Sequence, residues 1–314
     1  MQSRNVPQTL LTPLPPCYDG RSEQYIHWRS ERLHLQKTTQ SPCVLLTDKL
    51  TNSDNNQALV QLCEQVRLFG FAHYRLSTEN EQPRQVVAKL ATTLGLHHCD
   101  TGVIQDEADQ LSLLENHANS ARSRFLPYSN KAMNWHTDGY YNAANDVLRS
   151  FTLHCLQSAS TGGTLTVMDP ELLLIALYDE DPQLVLELTH KQAMLLPANV
   201  DAEGHDRPDR RVPVLFAHED ESLGLRYTTR SQHIQWRSEA TRIAAERALE
   251  LIELHDEWHT AIRLQPGEGI VSRNVLHRRD AFDDESDTLK RQMLRGRYLK
   301  LPTVSHTGAF DAAR

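Results

Sequence analysis

The chain has 314 residues, of which 39% are hydrophobic and 24% charged, and a formal net charge of -8. That length can bury a sizeable core, and no uninterrupted apolar stretch approaches the roughly 20 residues needed to cross a bilayer. Clustered cations drive binding to phosphate backbones, so the acidic balance argues against nucleic acid as a partner.

The opening Met1-Gln-Ser-Arg-Asn-Val-Pro7 carries no apolar segment and no small-residue cleavage site, so a cytoplasmic location is expected. Residues 1–55, with Pro13, Pro15 and Pro16 close together, are expected to form an extended N-terminal arm with one short helix over 23–35. Residues 56–314 are expected to form a single domain. Leu59, Leu62, Cys63, Val66 and Phe69 keep helical spacing, and Gly70 stands where a helix C-cap belongs. The next six residues, 71–76, read as a strand. A second amphipathic helix over 83–94 stops at Gly95, and the polar stretch 97–131 is expected to be a long loop that acts as a lid.

Beyond Trp135 short strands dominate. Phe151, Leu153 and Cys155 alternate with Thr152 and His154, as in a half-buried strand, and residues 164–168 make another. Asp169-Pro170 supplies an N-cap followed by proline at the first helical position, opening a helix through Leu177. Further strands are expected at 193–196, 212–216, 225–229, 261–264, 270–272 and 292–299, with one long helix over 238–259. Residues 207–211, Arg-Pro-Asp-Arg-Arg, read as a solvated loop rather than a basic groove. Five cysteines without C-x-x-C spacing argue against a disulfide framework and a structural zinc site. The expected class is α+β and mainly β: a double-stranded β-helix, or jelly-roll, barrel with flanking helices.

The chemistry centres on Asn134-Trp135-His136-Thr137-Asp138-Gly139. In His-x-Asp on extended backbone both side chains point to the same side, so together they can occupy one face of a metal. With 16 histidines, chance supplies about one such match, and the chain holds three, at His98, His136 and His218. His98 follows a helix end and His218 leads into an acidic turn, whereas His136 lies among aromatic residues ahead of the strand series. A distant strand, turn and returning strand end at His277, which completes a facial triad of two imidazoles and one carboxylate suited to iron(II). Beyond it, Arg291, Arg295 and Arg297 are spaced by four and two and so share one face of a strand.

In these ordered motifs, over roughly residues 58–300, the chain resembles the taurine dioxygenase-like family of iron(II)/2-oxoglutarate oxygenases. The resemblance implies iron(II) held by His136, Asp138 and His277, with 2-oxoglutarate and O2 as co-substrates. The implied reaction is hydroxylation of a small metabolite with release of succinate and CO2, and Arg230 and Arg295 hint at an anionic one. It assigns Arg291 to the distal carboxylate of 2-oxoglutarate, a role a guanidinium fork fills bidentately. Arg295 is placed nearer the metal, on 2-oxoglutarate or substrate. After Gly162-Gly163 the family's threonine register falls on Leu165, leaving Thr164 and Thr166 as competing candidates. Tyr227-Thr228-Thr229-Arg230 resembles a segment near the substrate, so Arg230, Tyr140 and Asn134 are substrate candidates. Tyr140 and Tyr141 are adjacent, so only one of them can face a pocket. Asp138 argues against halogenation, because related halogenases replace this carboxylate with a small residue.

Two alternatives stand beside this reading. His255 and His259, four apart on an expected helix, have the ligand spacing of a zinc-dependent hydrolase, and the fold could instead be a non-catalytic small-acid-binding barrel. The expected partner is a small-molecule substrate, with neither nucleic acid nor membrane, and self-association as a homo-oligomer is left open.

Overall fold

A computed structural model of the chain describes residues 14–38, 42–50, 53–77, 82–97, 109–116, 125–200, 206–230, 234–284 and 290–304. The N-terminal part contributes α1 (Glu23–Thr38) and β1 (Val44–Thr47), followed by α2 (Ser53–Phe69), β2 (Phe71–Ser77) and α3 (Pro83–Thr93). Helix α2 ends at Gly70, which has a φ of +82° and donates its N–H to Val66. Only glycine fits there, because a Cβ would lie 2.6 Å from Val275 Cγ1.

Next come β3 (Ser112–Glu115), β4 (Met133–His136), β5 (Ser150–Gln157), β6 (Thr161–Gly162) and β7 (Leu165–Met168). Asp169 caps α4 (Pro170–Glu180) by accepting the Glu171 N–H at 2.9 Å. Asp181 repeats the device on Gln183 to open α5 (Pro182–Thr189), a helix the sequence reading did not anticipate. Short ribbons follow: β8 (Met194–Leu196), β9 (Asn199–Val200), β10 (Asp206–Arg207), β11 (Arg210–Val212), β12 (Leu215–Ala217), β13 (Leu223–Leu225) and β14 (Gln235–Trp236). The chain closes with α6 (Glu239–Leu254), β15 (Thr260–Ile262), β16 (Glu268–Ser272), β17 (Leu276–Arg279), β18 (Phe282–Asp283) and β19 (Gln292–Tyr298).

Two sheets organise the molecule. A six-stranded sheet runs β1-β2-β16-β5-β19-β3, antiparallel except for the parallel β1–β2 pair, and a four-stranded antiparallel sheet runs β15-β7-β17-β4. Leu62, Val66, Val86 and Leu90 of α2 and α3 pack on one face of the larger sheet, against Tyr74 and Leu294. Its other face presents Phe151, Leu153, Ile270 and Met293 to Leu165 and Val167 of the smaller sheet. Helices α4 to α6 cover the smaller sheet's outer side, around Trp135, Met168 and Leu276. Burying each large apolar side chain contributes about 1.5–3 kcal/mol.

The expected jelly-roll barrel does not form: among the described residues neither sheet closes. The larger ends at β1 and β3, the smaller at β15 and β4, and no ladder joins one sheet's edge to the other's. Two open sheets packed face to face require the same alternation along each strand as a barrel does. Closure depends on register between distant segments, which the alternation does not encode. Strand β5 likewise departs from the half-buried expectation. Thr152 and His154 are as buried as Phe151 and Leu153, because helices cover the far side.

Within 97–131 the described residues carry β3 and a 3-10 turn, Leu126–Tyr128. Residues 98–108 and 117–124, where most of the expected lid falls, lie outside the described set, as does His98.

Candidate metal centre

Antiparallel β4 and β17 place His136 directly opposite His277, with ring centroids 4.2 Å apart. After His136 the chain is latched to residues 225–227. Thr137 donates its N–H to Tyr227 O at 3.0 Å and its hydroxyl to Leu225 O, and it accepts the Tyr227 N–H. With Thr137 fixed outward, Asp138 returns to the side of His136. Its Oδ1 lies 3.7 Å from His136 Nε2 and 3.9 Å from His277 Nε2.

The imidazoles are oriented by backbone. His136 Nδ1 lies 2.7 Å from Asn134 O, and His277 Nδ1 lies 2.9 Å from Val275 O. Each Nδ1–H is donated to a carbonyl, which leaves Nε2 as the electron pair of the neutral ring. His136 Nε2 is buried without a hydrogen-bond partner. One donor atom from each of His136, Asp138 and His277 lies within 4.8 Å of the others, and this is the one such cluster among the described residues. An orphaned buried nitrogen facing a second nitrogen and a carboxylate fits a divalent metal with open positions.

Protonation states agree. Burial and then the neighbouring His277 push His136 down to about 3, and burial also lowers His277. Burial alone would raise the Asp138 carboxyl, but Arg295, His277 and Arg297 hold it well below the usual carboxylate range. Two neutral imidazoles and one carboxylate anion are the states a metal requires.

Asp138 is also held through its backbone. Its N–H donates to Asn274 Oδ1 at 2.9 Å, and Asn274 Nδ2 donates to Asp138 O at 3.0 Å and to Leu148 O at 3.2 Å. Asn274 has a φ of +56°, a conformation that asparagine tolerates better than most residues. Its neighbour Arg273 is anchored by Asp169 and Glu171, which also pair with Arg32 of α1.

A pocket open to solvent lies between the two sheets beside the triad, with about 740 Å³ of empty space when its solvent-filled mouth is counted. Arg291 and Arg295 both line it, and Arg295 Nη1 lies 3.5 Å from Asp138 Oδ2. Burial lowers Arg291 to about 10. Gly162, Gly163 and Leu165 line it, but Thr164 and Thr166 do not. Thr166 pairs across the strands with Ala261 and Arg278, and Thr164 O accepts the Asp280 N–H.

The substrate candidates are more scattered. Asn134 is exposed and contributes its carbonyl to His136. Tyr140 is half-buried against the α4–α6 core, and Tyr141 OH accepts from Arg297 at 3.3 Å. Neither tyrosine lines the pocket. Arg230 is exposed, close enough to His136 to lower its pKa.

The alternative histidine pair comes apart. Helix α6 stops at Leu254, so His255 is its C-cap and His259 lies beyond a 3-10 turn. His255 pairs with Glu257 and stacks on Trp258, while His259 Nε2 meets Ile252 O and its ring packs on Trp135. Both are absorbed by local structure.

Sequence reasoning missed Asn274 and Arg279. The latter lines the pocket two residues beyond His277, a spacing that strand alternation would have placed on the same face.

A His-Asp-His face beside a cationic pocket, carried on two packed sheets, defines a non-haem iron(II)/2-oxoglutarate-dependent dioxygenase. The profile of the family described as taurine catabolism dioxygenase TauD, TfdA family, matches residues 71–297, and the chain belongs to that family. Solved structures share the fold at low identity. An asparagine oxygenase in complex with Fe(II), 2S,3S-3-hydroxyasparagine and succinate is 18% identical with a TM-score of 0.56, over 78% of this chain and 79% of that one. The non-heme iron oxygenase OrfP, in complex with Fe, succinate and (3S)-hydroxy-L-Arg, is 15% identical with a TM-score of 0.56, over 77% and 79%. A taurine dioxygenase from Burkholderia xenovorans is 14% identical with a TM-score of 0.51, over 79% and 83%. No curated protein matches the chain in sequence. Among the described residues no helix is long and apolar enough to cross a membrane.

Proposed function

We propose that this dioxygenase hydroxylates a small anionic metabolite while converting 2-oxoglutarate and O2 to succinate and CO2. The observation that carries the reading is the charge of the pocket. Arg263, Arg279, Arg291 and Arg295 line it, against Asp138 as the single carboxylate among its lining residues. A dianionic co-substrate leaves such a pocket cationic, which favours a second anion.

His136, Asp138 and His277 would hold iron(II), which when bound supplies the oxidising chemistry. The protein positions the reactants and keeps water from them. The backbone carbonyls of Asn134 and Val275 keep each ring's Nε2 directed at the metal position. Arg291, on the pocket wall beside Gly163, grips the distal carboxylate of 2-oxoglutarate. Arg295, near Asp138 Oδ2, turns its remaining donors to a substrate anion. Arg230, exposed on the side of His136, draws anions toward the opening. The product retains one oxygen atom of O2 and succinate the other.

The test is succinate release from 2-oxoglutarate in the presence of iron(II), ascorbate and a panel of small acids, with amines of similar size as controls. An anionic compound should stimulate release and gain 16 mass units. Stimulation confined to neutral or cationic compounds would remove the assignment of an anionic substrate.

A further inference from the structure

We propose that Arg279 is the second side chain on the distal carboxylate of 2-oxoglutarate, beside Arg291 and in place of a threonine hydroxyl. The proposal rests on the reading of Arg291 given above. The pocket-facing residue of β7 is Leu165, which has no donor, and Thr164 and Thr166 do not line the pocket. In the β7–β17 ladder the residue directly opposite Leu165 is Arg279. Cross-strand partners lie about 4.5–5.5 Å apart at Cα with side chains on the same face. The guanidinium therefore rises from the same patch of pocket wall where the hydroxyl is missing.

Its bonding leaves a donor over. Arg279 Nη2 donates to Ser129 O and Lys131 O, while Nε is buried without a partner. Arg279 is 7% exposed, and a buried unpaired N–H of a charged group is costly unless something accepts from it. The two guanidinium carbons lie 4.9 and 5.1 Å from the centre of the same Phe282 ring, so both arginines are held at one end of the pocket. Among the described residues neither guanidinium forms an ion pair, and the Asp284 carboxylate, which accepts the Arg291 backbone N–H, acts on Arg291 from farther off. Two cations held on one aromatic ring at the wall of the pocket match one carboxylate with two oxygens.

The experiment compares two 2-oxo acids of equal chain length, 2-oxoglutarate and 2-oxopentanoate, the second lacking the distal carboxylate. Each is titrated anaerobically into the iron(II)-loaded protein, and binding is followed by the visible charge-transfer band and by calorimetry. Arg279→Met should weaken 2-oxoglutarate by about tenfold to a hundredfold, the scale of a lost charge-assisted hydrogen bond, and leave 2-oxopentanoate within about twofold. Adding Leu165→Thr to Arg279→Met should restore part of the loss by returning a hydroxyl to the opposite strand. An equal loss for both acids would mean that Arg279 only ties down residues 129–131, and no loss for either would mean that it faces no ligand. Both outcomes overturn the proposal. Arg279→Lys, which keeps charge but lacks Nε–H, supplies the same comparison should the methionine variant not fold. Arg291→Met tests the underlying reading separately, since equal affinity for both acids is expected there only if Arg291 is the principal grip.

Discussion

Replacing Asn274 by glycine isolates what its side chain does for the metal ligand. Glycine adopts the observed φ of +56° without strain, so the backbone requirement stays met. What is lost is the amide clamp on Asp138, one bond accepted from its N–H and one given to its carbonyl, together with the bond to Leu148 O. Each such bond contributes about 1 kcal/mol net, and a buried peptide group left unpaired costs about 1–3 kcal/mol. Part of that penalty appears as misplacement of the carboxylate. Changes to groups that orient a ligand lower metal affinity by about 10–100-fold, or about 1.4–2.8 kcal/mol. Anaerobic competition against a metallochromic indicator measures the affinity, and melting of the metal-free protein measures stability. The expected result is weaker iron(II) binding in Asn274→Gly. Unchanged affinity would show that the position needs only a residue tolerant of positive φ, and the clamp argument would fail.

Three further outcomes follow from the same geometry. Asp138→Ala removes one of three donors, and its loss of iron(II) affinity should exceed the about 10–100-fold of an orienting residue, measured by the same competition. His255→Gln with His259→Gln should leave iron stoichiometry at the wild-type value while lowering stability by about 1 kcal/mol, from the lost bond to Ile252 O and the ring contact on Trp135. A lost metal in that double variant would reinstate the helix-end pair. His154, buried against Tyr74, is pushed down to about 4 from its ordinary 6.5 by burial. The unfolded chain therefore takes up the proton first, so stability is full above about pH 6.5 and is lost as pH falls toward 4. Between pH 7 and pH 5 His154 should account for about 2 kcal/mol of that loss. His154→Gln should remove this share in urea titrations of the metal-free protein, leaving the same-signed shares of His218, which burial and Arg149 push down to about 3, and of His136 and His277. An unaltered pH dependence would show that His154 does not titrate on unfolding.

The triad was legible because each part has a local signature. His-x-Asp on extended backbone forces two side chains to one side, and a strand ending at His277 needs only to pair with β4 to complete the face, as it does through the His277–His136 register. Individual strands and helices were legible for the same reason, since burial imposes period two or 3.6 on nearby residues. Closure was not, because open and closed sheets impose the same alternation. The C-terminal end of α6 was misjudged because Trp258 continues an apolar pattern that the backbone leaves at Leu254.

The walls of the pocket show where the limit lies. Reading β7 alone leaves Thr164, Leu165 and Thr166 in competition, and no property of that segment says which faces inward. The ladder decides it: pairing Leu165 with Arg279, two residues from a metal ligand that faces the site, puts Leu165 on the pocket side and Thr166 on the other. Asn274 is similar. Its asparagine identity is explained locally by a positive φ, but its partner is 136 residues away and becomes visible only when β4 and β17 are adjacent. Ligand identity is therefore carried by short-range sequence, whereas the residues that orient ligands and line the pocket are fixed by cross-strand pairing. Substitutions that leave each segment's pattern intact but shift the register of β17 should disable co-substrate binding before they disturb the fold.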